Sequence, residues 1–417
     1  MTRELLRQVR LLDPSCDRDQ VVDVLLVDQQ IEVIEPHLNS IPAGTEVQDC
    51  QSCILAPGLI DLYSQSGEPG FETRETLTSL SQAAQAGGFT QVNLLPHTAP
   101  VLDNPGPVAQ LQAVAVPTQL QFWGAVTHGA TGQHLTDLWE LAQAGVVGFT
   151  DAAALPDWGL IRRVLEYLAP LKRPLMFWPW QRSLVGNGVA FEGPITCRLG
   201  LPGIPISAET VAIAGLLECV AVTQTPIHLM RVATARGTAL IQAAKAQGLP
   251  ITASTTWLQL LHNTTDLEHY PPSLRLHAPL GNPADQQALI AALESGVIDA
   301  IAVDHTPYTY EEKTVAFAAA PPGAIGLELA LPLLWQRFVV SGQWSALDLW
   351  RRLSSQPAAC LGQSVEAIAP QQHPDLILFN PEQAWTVTPT SLRSRSHNTH
   401  YLHEYVWGRV QQIYASA

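Results

Sequence analysis

The sequence predicts an α/β protein, a (β/α)8 TIM barrel with a small β-domain built from both termini. Three observations predict it. Eight short apolar runs alternate with helix-period segments over about 250 residues, the signature of a parallel sheet covered by helices on its outer face. Strand-like runs precede that region and return after it. No internal repeat, linker or low-complexity tract interrupts the chain.

Residues 1–54 read as short strands with turn punctuation: 21–27 and 30–34 are rich in β-branched residues, and Ile41-Pro42-Ala43-Gly44 is a breaker. The barrel is predicted over 55–364 and includes additional helices. Its strand runs are 54–62, 91–95, 120–126, 146–149, 175–177, 227–232, 251–253 and 300–303. The helical segments between them are 75–86, 135–144, 160–168, 208–222, 234–246 and 283–294, with further helices at 327–338 and 347–353. From 365 to 417 the texture returns to strands, clearest at 375–379 and 385–387, which completes the β-domain begun at the N-terminus.

Composition narrows the function. Of 417 residues 47% are hydrophobic and only 14% charged, with 22 basic against 37 acidic and a formal charge of −15. A nucleic-acid or anionic-membrane binder needs clustered cations, and here the lysines are Lys172, Lys245 and Lys313 alone. No run of 18 apolar residues suggests a membrane span, and the opening MTRELLRQVRLLDP is too charged for a signal peptide, so a cytoplasmic protein is expected. The low charge content is also consistent with a surface partly covered by a partner. Six scattered cysteines suit a reducing compartment, and Cys50-x-x-Cys53 lacks the second ligand pair of a metal site, which favours buried thiols.

In such a barrel, chemistry sits where strands end at the C-terminal face. The ends offer Asp61 to Gln65, His97, Thr127 and His128, Thr150 and Asp151, Trp178 and Trp180, His228 to Arg231, Thr256 and Trp257, and Asp304 and His305. A catalytic zinc needs about three imidazole, carboxylate or thiolate ligands around an open position. His97, Asp151, Asp304 and His305 are the donors on offer, and Tyr63, Gln65, Trp178 and Arg231 stand among them. Arginine repels a divalent ion, and paired tryptophans fill space. No lysine lies at a strand end to carry a bridging carbamate. His97 and His128 read as satisfied loop histidines, and His397, His400 and His403 as part of a tail loop with few nearby carboxylates.

These residues resemble the dihydroorotase family of the amidohydrolase superfamily, over nearly the whole chain. The resemblance rests on Leu55-Ala56-Pro57-Gly58-Leu59-Ile60-Asp61, on Glu68-Pro69-Gly70 with Glu72 and Glu75, and on Ala86-Gly87-Gly88-Phe89-Thr90. It continues through Leu199-Gly200-Leu201-Pro202-Gly203-Ile204-Pro205, Ile301-Ala302-Val303-Asp304-His305-Thr306-Pro307, Glu311-Glu312-Lys313 and Pro321-Pro322-Gly323-Ala324-Ile325-Gly326-Leu327-Glu328. By that resemblance the positions of the family's His-x-His ligands are Tyr63 and Gln65, and further ligand positions hold Ala152, Trp178 and Arg231. Of the ligand set Asp304 remains, followed by His305. The family's substrate-binding positions hold Gly67, His97 and His277.

The resemblance therefore implies a dihydroorotase-like protein that binds no zinc and needs no other cofactor. Asp304 and His305 would be vestiges, with Arg231 paired to Asp304 or Asp151 where the metal would sit. Inactive homologues of this family in some bacteria assemble with aspartate transcarbamoylase. The implied role is thus a structural or regulatory partner of the aspartate transcarbamoylase catalytic chain in pyrimidine biosynthesis, in a homo- or hetero-oligomer. Two alternatives stay open. One is a metal-independent or repurposed cyclic amidohydrolase using Asp304, His305 and His97. The other is a small-molecule-binding protein whose Arg231 and Trp178 hold an anionic or aromatic ligand.

Overall fold

The computed structural model describes residues 2–415. Its eight parallel barrel strands are Leu59–Ser64, Phe89–Leu94, Gln119–Gly124, Gly148–Phe149, Met176–Phe177, Ile227–Leu229, Ile251–Thr256 and Ala300–Ala302. Neighbours pair in that order, and a bridge from Phe149 to Leu175 carries the sheet across its shortest strands. Closure of the last strand onto the first is made by Asp304 N–H donating to the Tyr63 carbonyl at 3.1 Å and Gln65 N–H donating to the His305 carbonyl at 2.7 Å. Each of the eight predicted runs overlaps one of these strands.

Two differences have physical causes. The predicted first run, 54–62, is two strands. Ile54–Pro57 belongs to the terminal sheet, where it pairs with the strand Leu376–Thr386, and Leu59–Ser64 opens the barrel. The chain changes sheets at Gly58, where a Cβ would lie 2.1 Å from the Thr90 hydroxyl, so only glycine permits the close approach. The carbonyls freed there are taken up by the Trp350 indole N–H on Pro57 and the Ser354 hydroxyl on Gly58. The predicted tail runs 375–379 and 385–387 are in turn one bulged strand, Leu376–Thr386.

The terminal sheet joins both ends of the chain, with Tyr405–Tyr414, Leu376–Thr386, Ile54–Pro57, Arg3–Asp13, Arg18–Val27 and Gln30–Glu35 side by side and Thr45–Asp49 flanking Arg3–Asp13. Arg3–Asp13 hides its strand character because its leucines come in adjacent pairs rather than in alternation. A bulge with Gln8 at φ 55° and burial on both faces of the sheet accommodate those pairs. The barrel interior is filled by Tyr63, Leu62, Trp123, Met176 and Met230, and Ala358 and Leu361 close it from below. Cys50 and Cys53 are buried free thiols in the core of the terminal sheet. Among the described residues no helix is long and apolar enough to cross a membrane.

Asp61 secures the barrel seam. Its carboxylate is fully buried, accepts Val303 N–H at 2.7 Å and the Ser64 hydroxyl at 2.5 Å, and is pushed by burial up to about 7. Asp61→Ala would strand the Val303 amide in the interior. Urea unfolding of that variant is expected to show a loss of about 2–3 kcal/mol; a loss within experimental error would mean that the seam does not depend on Asp61.

Candidate functional site

The strand ends converge on Arg231, which follows the sixth barrel strand and is fully buried. The turn that carries it is fixed from behind by Glu209. That buried carboxylate accepts Ala233 N–H at 2.8 Å, Thr234 N–H at 3.1 Å and the Thr234 hydroxyl at 2.6 Å, and burial raises it to about 7. The guanidinium reaches across the barrel to Asp304. Nε donates to one carboxylate oxygen at 2.8 Å, Nη2 to the other at 2.6 Å, and Nη1 to the Ala152 carbonyl at 3.3 Å. Of the two partners expected for Arg231, Asp304 is the one it meets. Asp151 turns to the third strand end, where it accepts Thr127 N–H at 3.0 Å and the Thr127 hydroxyl at 2.7 Å, and burial raises its carboxyl.

The residues around this pair enclose it. The Arg231 guanidinium lies 5.2 Å from the Trp178 ring centre and 5.7 Å from that of Tyr63, within cation–π range. Trp178 stacks on Trp180 at 5.1 Å and meets His277 edge-on at 5.9 Å. Gln65 Nε2 lies 3.3 Å from His277 Nε2. His97 is pushed down to about 4 by burial and by the Arg231 charge, and His277 is held well below its ordinary range by the same causes. Both rings are thus neutral beside the guanidinium, and the charges that remain at the centre, Arg231 and Asp304, cancel. The cavity that reaches Asp304 and His277 holds about 10 Å³, at the lower limit for a single water and far below the several hundred Å³ of a small-molecule site.

Two of the expected site residues lie apart from this group. His305 faces the other way. Its Nδ1 accepts Gly326 N–H at 3.2 Å and its Nε2 stands 3.5 Å from Glu75, itself buried and held by Ser79, Ser394 and Arg395. Asp304 and His305, adjacent in sequence, therefore share no reacting space. Gly67 is hemmed in by its own loop, with the Glu75 carbonyl 2.3 Å from where a Cβ would be, so no side chain at this position can reach the barrel axis along this path. Of the tail histidines, His400 packs edge-on against His262 at 5.1 Å.

Ala152, Arg231 and Asp304 share an unusual feature: all three have positive φ, 42°, 57° and 53°. Non-glycine residues held there cost about 1–3 kcal/mol each and cluster at functional sites.

Two further participants, Ser254 and Thr252, carried no sequence signal, and they link Tyr63 and His228 into one line. Tyr63 Oη accepts Arg231 N–H at 3.0 Å and lies 3.1 Å from Ser254 Oγ, which is 2.8 Å from His228 Nε2, and His228 Nδ1 is 2.8 Å from Thr252 Oγ1. Hydroxyls and imidazole thus form a continuous hydrogen-bonded line down the barrel. Burial pushes His228 down to about 3, so it stays neutral.

The chemistry of these donors does not fit a divalent metal. Both Asp304 oxygens are occupied by Arg231, the Tyr63 oxygen is occupied by an amide and a hydroxyl, and Trp178 and Ala152 offer no donor. Among the described residues no group of three or more His, Cys, Asp or Glu side chains is placed to hold a metal ion.

With the geometry established, comparison with known proteins adds the following. The dihydro-orotase-like family model matches residues 52–232. A probable dihydroorotase-like protein of Synechocystis sp. is 44% identical, with 97% of each chain covered. A dihydroorotase of Pelotomaculum thermopropionicum is 33% identical over 95% of this chain and 93% of its own, and a dihydroorotase-like protein of Pseudomonas aeruginosa is 35% identical over 97% and 96%. Among solved structures, the L-hydantoinase (dihydropyrimidinase) of Arthrobacter aurescens superposes with a TM-score of 0.86 at 19% identity, covering 100% of this chain and 96% of that one. That likeness is one of fold.

Two outcomes follow from this geometry. Arg231→Met leaves the largely buried Asp304 unpaired, and a loss of about 3–5 kcal/mol is expected on urea unfolding. In the double variant Arg231→Met with Asp304→Leu, most of that loss should be recovered. A single variant as stable as the parent would mean that the pair does not form. The second outcome concerns pH. His228 is neutral when folded, so its contribution is present above about 6.5 and is lost as pH falls toward about 3. His228→Gln should therefore lose about 1.4 kcal/mol less stability than the parent for each pH unit between 6.5 and 4. Parallel stability curves for the two proteins would contradict it.

Proposed function

The chain belongs to the dihydroorotase-like family, and from that membership we propose that it is a non-catalytic member, kept as a structural or regulatory partner of the aspartate transcarbamoylase catalytic chain. The observation that carries the reading is the bidentate Arg231–Asp304 pair, at 2.6 and 2.8 Å, beside a cavity of about 10 Å³.

The family's hydrolysis requires a ring amide polarised and attacked by an activated water. By the family resemblance Asp304 is the position of a metal ligand and proton carrier. Here both oxygens of its carboxylate are engaged by a guanidinium. The cavity that reaches Asp304 and His277 holds about 10 Å³, too little for a ring substrate, and His305 turns toward Glu75 instead of completing an acid–base pair. A metal-free hydrolase lacks a pair of groups facing one space, and the cavity beside Asp304 is too small for a ligand. These points support the scaffold reading over both alternatives. The named partner rests on the family resemblance, and the retention of a complete barrel and terminal sheet suits a protein whose outer surface is what is used.

The test has two arms. Protein produced in zinc-replete medium is expected to carry well under one zinc per chain by elemental analysis and to hydrolyse no dihydroorotate. Stoichiometric zinc or turnover would overturn the non-catalytic reading. Light scattering after size exclusion, with the host's aspartate transcarbamoylase, is expected to show a joint peak of defined stoichiometry, and separate peaks at micromolar concentration would overturn the partnership.

A further inference from the structure

Space that is missing at the mouth is present at the opposite end of the barrel. A cavity of about 980 Å³ opens at the N-terminal face, beneath the third to seventh barrel strands. Its walls are mostly apolar, with Phe122, Val147, Leu175 and Leu361 among them, while Lys172 and Arg173 stand exposed in its lining. Among the described residues that line it none is acidic, in a chain with 37 acidic residues against 22 basic ones and a formal charge of −15. The cavity thus reverses the sign of the protein around it. Lys172 and Arg173 make no ion pair among the described residues, so both charges are free to meet a ligand. Apolar walls with a few placed polar groups, at a volume of several hundred Å³ or more, are the usual make-up of a small-molecule site.

We propose that this cavity binds a small organic anion, with its apolar body against the strand beginnings and its anionic group at Lys172 and Arg173. An inorganic anion would gain nothing from the apolar walls, and a neutral apolar molecule would gain nothing from the two cations. Thr252 and His228 also line the cavity, and their polar atoms are the lower end of the hydrogen-bonded line through Ser254 and Tyr63 to Arg231. Occupancy of the cavity therefore touches the same polar line that terminates at the Arg231–Asp304 pair. The site is independent of whether the mouth is catalytic.

The test uses the full chain and two dyes of nearly equal shape, anionic 8-anilinonaphthalene-1-sulfonate and uncharged N-phenyl-1-naphthylamine, followed by fluorescence titration. The parent protein is expected to bind one sulfonate dye per chain, more tightly than the neutral one. The charge-reversed variant Lys172→Glu with Arg173→Glu, both on exposed side chains, should weaken the sulfonate dye by about tenfold and leave the neutral dye within about twofold. Gln363→Trp, which fills the cavity from a partly exposed position, should weaken both. Equal affinity of the parent for the two dyes, or sulfonate binding unchanged by charge reversal, would overturn the proposal. Circular dichroism of each variant separates loss of a site from loss of fold.

Discussion

A guanidinium buried at the centre of a barrel has to be neutralised and hydrogen-bonded where it stands, and the upper end of this protein is organised by that requirement. Arg231 is 0% exposed and cannot shed its proton. Asp304 supplies the countercharge, the Ala152 carbonyl takes a further N–H, and the Trp178 and Tyr63 rings supply their π faces. Burial first, and the Arg231 charge second, keep His97 and His277 neutral beside it. An arrangement of this kind is weak evidence for stability, because a buried ion pair seldom outperforms a well-packed apolar one, yet removing one partner is severe.

The two ends of the barrel are physically opposite. At the C-terminal face, strained backbone at Ala152, Arg231 and Asp304 surrounds an ion pair and aromatic bulk. At the N-terminal face lies an open space with free cations. Between them runs the line Thr252, His228, Ser254, Tyr63, Arg231, in which each member has its hydrogen-bonding capacity met by the next. Buried polar groups are tolerated only when satisfied in this way. The interior thus combines a rigid polar axis with the packing of Trp123, Met176 and Met230 around it.

Much of this was legible in the sequence. The alternation of apolar runs with helix-period segments located every barrel strand, because strands buried on both faces read as continuous apolar stretches. Tyr63, Trp178 and Arg231 at the strand ends suggested a mouth filled by bulk and positive charge, and they do stand together there. What the sequence did not carry depends on distance along the chain. Tyr63 and Arg231 are 168 positions apart, and Ser64 and His305 are 241 apart, so no local spacing announces their contacts. Asp304 and His305 are neighbours whose side chains serve different structures, a separation set by the positive φ at Asp304. Arg3–Asp13 was obscured because a bulge breaks its alternation. The cavity at the N-terminal face is built from strand beginnings, which look like ordinary apolar starts.

The most direct measurement is anomalous diffraction at the zinc absorption edge, from crystals of the full chain soaked in millimolar zinc. The account expects no anomalous peak within bonding distance of Asp304, and a guanidinium still seated on both carboxylate oxygens. A zinc ion on Asp304 with Arg231 swung aside would contradict it, and would show that the closed mouth is one state of a metal site instead of its replacement.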